Sequence, residues 1–134
     1  MPDWDDVRAL ARELPDTTEQ DLHGEPSWRV HGKLFVWARP LRRADLAELG
    51  DAAPAGPILG ARVDGPAAKQ ALLADTSGVY FTTSHFDGHP SVLVRLGEIT
   101  LDELRELVIE AWLARAPRRL AREWAAGHLP GGES

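Results

Sequence analysis

VYFTTSHFDGHPSVLVRL, residues Val79–Leu96, sets two β-type runs on either side of a short polar centre that holds His85, Asp87 and His89. It is the most strongly patterned strand–loop–strand in the chain, and its centre is the cluster that looks most like chemistry. The N-terminal side of the chain builds towards a sheet that this stretch can join. The C-terminal side is helix that can cover that sheet.

Upstream, SWRVHGKLFVWAR (Ser27–Arg39) reads as a hairpin. Trp28 and Val30 alternate with Ser27, Arg29 and His31; then Leu34, Val36 and Ala38 alternate with Phe35, Trp37 and Arg39. Gly32 supplies the positive φ that a tight turn at His31-Gly32 demands. The second arm is apolar on both faces, which places it inside the sheet with chain covering both sides. Ile58–Val63 adds a strand, while the acidic, aperiodic Asp16–Pro26 reads as a loop. Pro40–Pro57 is a surface excursion with one short helix at Arg43–Leu49.

The helices carry start and stop signals. Asp3–Leu14 places Trp4, Val7, Leu10, Ala11 and Leu14 at helical spacing, and Pro15 ends it. Pro66 opens a short helix whose buried side is Ala68, Ala71 and Leu72, and Asp75–Gly78 is turn chemistry. Thr100 and Glu103 form a capping box before a long helix with Leu101, Leu104, Leu107, Val108, Ala111 and Trp112 on its core face. Pro117 kinks or restarts that helix, a basic stretch Arg118–Trp124 comes next, and the tail 127–134 is expected to be flexible. Strand pairs on short turns with helices at both ends give the α+β class. The expectation is a single domain, 1–134, with an antiparallel sheet of about five strands and the first and last helices packed together on one face.

The bulk numbers narrow the function. With no cysteine, disulfides and thiolate metal sites are excluded. No apolar run approaches the roughly 20 residues of a membrane span, and the acidic, amphipathic start is the opposite of a secretory signal, so a cytoplasmic protein with no membrane partner is expected. The net charge of −6 argues against nucleic acid, but residues 1–25 hold eight acids and two arginines and carry all of it. The remainder is balanced and free to present a basic face.

His85, Asp87 and His89 are metal-competent and would share one face of a straight strand. Gly88 and Pro90 favour a bend instead, so no metal or cofactor is assigned, and a polar turn hydrogen-bonded to its own backbone is the competing reading. Phosphate loops, GxSxG elbows and HExxH pairs are absent. The basic candidates are Arg115, Arg118, Arg119 and Arg122 near the C-terminus and Arg39, Arg42 and Arg43 after the hairpin. Their alternative role is to solvate a helix end and pair with the acidic N-terminal segment.

WDDVRALARELP, SWRVHGKLFVWAR, LLADTSGVYFTTSHFDGHPSVLVRL and DELRELVIEAWLARAPRRL, in that order and spacing, resemble the MmcQ/YjbR-like family of small bacterial proteins over nearly the whole chain. The resemblance implies a compact α+β fold, related to the CyaY-like and double-wing folds, and DNA binding by two wings. The wings would be His31–Lys33 and His85–Pro90. Lys33 matches the family's hairpin lysine, and Arg29, Lys33 and Arg39 would touch phosphate, with Arg115, Arg118 and Arg119 as further contacts. An N-terminal helix lying near the wings would count against it.

Three functions stand as expectations. The first is a non-enzymatic protein that binds DNA weakly through backbone charge. The second is a module for a small ligand or protein partner, with Trp37, His85, Asp87, His89 and Trp112 around a pocket between sheet and C-terminal helix. The third is an enzyme with His85 or His89 as base.

Overall fold

Two His-Gly dipeptides fold the first half of the sheet. In the computed structural model, which describes residues 2–128, β1 (Thr17–Leu22), β2 (Glu25–Val30) and β3 (Lys33–Ala38) form an antiparallel meander. Its turns are His23-Gly24, with φ of 54° and 83°, and His31-Gly32, with φ of 51° and 81°. Positive φ at both central residues is the type I′ turn, whose twist matches that of the strands it joins. β4 (Ile58–Arg62), β5 (Tyr80–Phe81) and β6 (Ser91–Arg95) complete a six-stranded sheet in the order β1-β2-β3-β4-β6-β5. Every pairing is antiparallel.

β1 departs from the expected loop at Asp16–Pro26 and raises the strand number from about five to six. TTEQDL is half-buried at its two ends and exposed between, so it shows no apolar alternation. Charged side chains on an edge strand discourage further pairing, and they also hide it as a strand.

β3 departs differently. Trp28 pairs with Val36 but Arg29 pairs with Leu34, which leaves Phe35 as the extra residue of a β-bulge. Phe35 and Val36 therefore both enter the main core, while Leu34 and Trp37 pack on the opposite face. Simple alternation puts Phe35 and Trp37 together. The bulge separates them.

The helices are α1 (Trp4–Arg12), α2 (Arg43–Leu49), α3 (Pro66–Leu73), α4 (Leu101–Arg115) and α5 (Arg118–His128). At the start of α1, Asp3 and Asp6 cap one another's backbone N–H groups reciprocally. The Thr100 hydroxyl accepts from the Glu103 N–H at 3.2 Å, and Pro117 separates α4 from α5. α1, α4 and α5 cover one face of the sheet, where Val7, Ala11, Leu104, Val108, Trp112 and Trp124 meet Trp28, Val36, Leu59 and Val94. Full burial of each large side chain contributes about 1.5–3 kcal/mol. Trp112 also donates its Nε1–H to the Pro15 carbonyl at 3.1 Å, tying α4 to the end of α1.

Two expected core positions are exposed. Leu101 sits in the first turn of α4, ahead of the buried stripe, and is 53% accessible. Ala71 of α3 is exposed as well, and the residue that α3 buries is Lys69. The tail expected to be flexible lies outside the described residues from 129 onward; Gly127 and His128 belong to α5. Among the described residues no helix is long and apolar enough to cross a membrane.

Candidate functional site

The far face of the sheet has its own small core, Trp37, Ile58, Phe86 and Leu93, with Leu34, Leu41 and Phe81 against it. No long helix covers it. The segment between β5 and β6 does so instead, through a 3-10 turn at Ser84–Phe86 that drops Phe86 onto the strands. His85 and His89 flank that ring edge-on, with centroids 4.9 Å and 5.9 Å away.

This loop is held from two helices. From α2, the Glu48 carboxylate accepts the Ser84 N–H at 3.0 Å and the Ser84 hydroxyl at 2.6 Å. From α3, the buried Lys69 ammonium donates to the carbonyls of Phe86 at 2.7 Å and His89 at 2.8 Å. Charge-assisted bonds of this kind are about twice as strong as neutral ones. Burial lowers the Lys69 pKa, and nearby Asp87 opposes that shift. The two histidines are thus presented by a fixed loop.

Beside the loop lies a pocket of about 390 Å³, lined by Leu34, Trp37, Arg62, His85, His89 and Arg115 among others. That volume suits a small organic ligand. His89 Nδ1 is 2.9 Å from the Ser91 hydroxyl, and its Nε2 is 3.5 Å from Nη1 of Arg62. A guanidinium only donates, so this 3.5 Å contact is a hydrogen bond only with Nε2 accepting, the neutral tautomer whose proton sits on Nδ1. Burial, then the charges of Arg62, Lys69, His85 and Arg115, hold the His89 pKa below its ordinary value. Arg62 is lowered too, by burial first and Arg115 second.

Arg39 has a different task. Its guanidinium is buried, 3.1 Å from the Asp45 carboxylate and 5.3 Å from the centre of the Phe86 ring. Burial alone would raise the Asp45 pKa; the Arg42 N–H and the Arg39 charge outweigh it and hold the carboxyl low. The pair fastens α2 to β3.

Of the residues singled out in the sequence, Trp37, Arg39, Arg42, His85, His89 and Arg115 line this pocket. Asp87 lines a neighbouring cleft with Lys69. Trp112 lies in the main core on the opposite side of the sheet, so the pocket is not between sheet and C-terminal helix. Arg39 is engaged with Asp45 and is not free to touch a phosphate. Arg118 and Arg119 are exposed at the start of α5, where Arg119 pairs with Glu123 at 3.4 Å. Lys33 is exposed beside the hairpin turn, and Arg29 donates to the Gly32 carbonyl at 3.4 Å. At that turn His31 stands 2.9 Å from Asp16, which sets a carboxylate beside the segment expected to act as the first wing. Among the described residues no group of three His, Cys, Asp or Glu side chains is placed to hold a metal.

Arg62, Lys69, Leu34 and Glu48 belong to the site or its support and had no signature in the sequence. For Arg62 the one available signal is its place at the end of an apolar strand. For Lys69 it is the rarity of lysine in this chain, which has two.

A model of the YjbR family matches residues 12–114. Uncharacterised proteins of Mycobacterium bovis and of two Mycobacterium tuberculosis strains are 50% identical over 129 residues, covering 94% of this chain and 98% of theirs. The crystal structure of a Deinococcus radiodurans protein with a DUF419 domain superposes with a TM-score of 0.61 at 20% identity, over 84% of this chain and 78% of that one. That likeness is one of fold.

Proposed function

The chain belongs to the YjbR family, and within that family we propose that it is a non-enzymatic, cytoplasmic binding module whose site is the pocket on the far face of the sheet. The observation that carries this is the convergence of Trp37, His85 and His89 on one concavity of about 390 Å³. A loop fastened by Glu48 and Lys69 supports it, since a site assembled in advance loses little entropy when a ligand arrives. The test is a small-molecule screen read by the indole signal of Trp37 and the imidazole signals of His85 and His89. Compounds that move all three together support the reading. A broad screen that moves none of them removes it.

Binding of nucleic acid is the second reading. One observation favours it: Arg115, at the pocket, is followed in the chain by the exposed Arg118 and Arg119. Contacts of this sort are made to backbone phosphates and weaken steeply with salt. A gel-shift assay with single-stranded and duplex DNA at low salt is the check. Retention that disappears as salt is raised supports it, and free migration of both DNAs sinks it.

A further inference from the structure

We infer that the pocket takes a small organic oxyanion, a carboxylate or phosphate on a flat apolar body, with its charge on Arg62 and Arg115, beside His89, and its body against Trp37, Leu34 and Phe86. This rests on the reading of the pocket as the binding site and names what it would hold.

The lining is unbalanced in charge. It contains Arg39, Arg42, Arg62 and Arg115 with three histidines, against Glu25 as its one carboxylate. Arg39 is already matched by Asp45. Arg62 and Arg115 have no carboxylate partner among the described residues, and the Nε atom of each is buried without a hydrogen bond. Arg62 instead faces Nε2 of His89 at 3.5 Å. Like charges gathered in a partly desolvated concavity repel one another, and an anion among them turns that repulsion into attraction. Guanidinium forks match the planar oxygens of carboxylate and phosphate, which makes arginine the suited cation for either group.

The remaining lining is apolar and aromatic. Trp37 is buried to 7% accessibility against Gly60, which leaves the indole no freedom to swing inward. Among the described residues its Nε1–H has no hydrogen-bond partner, whereas those of Trp28 and Trp112 are taken by Glu19 and the Pro15 carbonyl. A flat body beside Trp37 and Phe86 would be gripped at its faces and edge while its anionic end reaches Arg62. An apolar lining with a few convergent polar groups is the usual composition of small-molecule sites.

The experiment uses the full chain, isotope-labelled, with the Trp37 indole and His89 imidazole followed by NMR during titration. The probes are benzoate, phenyl phosphate, their neutral counterpart benzyl alcohol, and inorganic phosphate. Benzoate or phenyl phosphate is expected to shift both signals saturably, and benzyl alcohol to bind about tenfold more weakly or worse, the scale of one lost charge-assisted hydrogen bond. Inorganic phosphate is expected to move His89 and leave Trp37 in place. The tighter of the two aromatic anions identifies carboxylate or phosphate as the preferred group. Arg62→Gln and Arg115→Gln are each expected to weaken that anion about tenfold, with circular dichroism unchanged. Arg115 ends a helix and is half-buried, so its variant remains informative if Arg62→Gln fails to fold. Equal binding of benzyl alcohol, or wild-type affinity in the variants, overturns the oxyanion assignment and leaves the pocket reading standing. Shifts at neither Trp37, His85 nor His89 with any probe bring down the pocket reading itself, and this inference with it.

Discussion

Gly60 lies opposite Trp37 in the β3–β4 ladder, and a Cβ in its place would stand 2.3 Å from the indole Cε2. The contact is with the rigid ring system, so it cannot be relieved by a flexible side-chain end. Gly60→Ala is expected to displace the indole and destabilise the protein by about 1–3 kcal/mol, as overpacking of a filled site does. Urea unfolding and the Trp37 indole resonance report the two effects. Stability and resonance both unchanged would mean that the strands part easily here.

Lys69 reaches across from α3 to the carbonyls of Phe86 and His89. Lys69→Met keeps the length of the side chain and removes the donors. It is expected to cost roughly 2–3 kcal/mol, since the two carbonyls lose charge-assisted partners. Amide exchange should quicken through 84–91 and remain slow in β3 and β4. Uniform acceleration over the whole chain would show that the ammonium holds up the fold at large and not this loop.

Arg39 and Asp45 are 7% and 4% accessible. Removing one member of such a pair strands the other's charge, so Asp45→Ala is expected to cost about 3–5 kcal/mol. Replacing both with apolar residues should cost less than Asp45→Ala alone. The Asp45 carboxyl is held below its ordinary 3.8. Its contribution is therefore complete above that value and is lost as pH falls through the folded value. Denaturation followed against pH should show that acid loss in the wild type and a flatter acid limb in Asp45→Asn.

His89 titrates below its ordinary 6.5, with burial the first cause and the surrounding cations next. On acidification the unfolded chain takes up this proton before the folded one does. Stability linked to His89 is thus intact above about 6.5 and declines as pH falls towards the folded value. Arg62→Gln or Arg115→Gln should raise the His89 pKa, which an NMR titration of the imidazole reads directly. An unmoved value would place those guanidiniums too far away to matter.

Much of the fold was legible because the signals were local. His31-Gly32 marks its turn, Thr100 its cap and Pro117 its break, and each acts within four residues. β1 was missed because an edge strand protected by charge has no apolar period to read. The neighbouring His23-Gly24, the same dipeptide as at the recognised turn, was the available clue. The site was legible in part. His85, His89 and Trp37 stood out by residue type, but the face on which Trp37 lies is decided by the bulge at Phe35, a matter of pairing between strands. Trp112 is hard to place from sequence for a related reason: helical spacing shows that a stripe is buried, not which side of the sheet it meets. Lys69 was invisible because its buried partners, two backbone carbonyls, lie 17 and 20 residues away.

The extra residue in β3 bears on how this hairpin tolerates changes of length. A strand shortened by one residue ordinarily turns everything beyond the deletion to the opposite face. Here, cutting out Phe35 would bring Leu34 next to Val36, opposite Arg29 and Trp28, as an unbroken ladder. Every other side chain would keep its present face, and the loss would be one ring's volume from the main core. Phe35 is the one place in this arm where the chain can be shortened without inverting it, so the wall of the pocket and the packing beneath α4 can change independently.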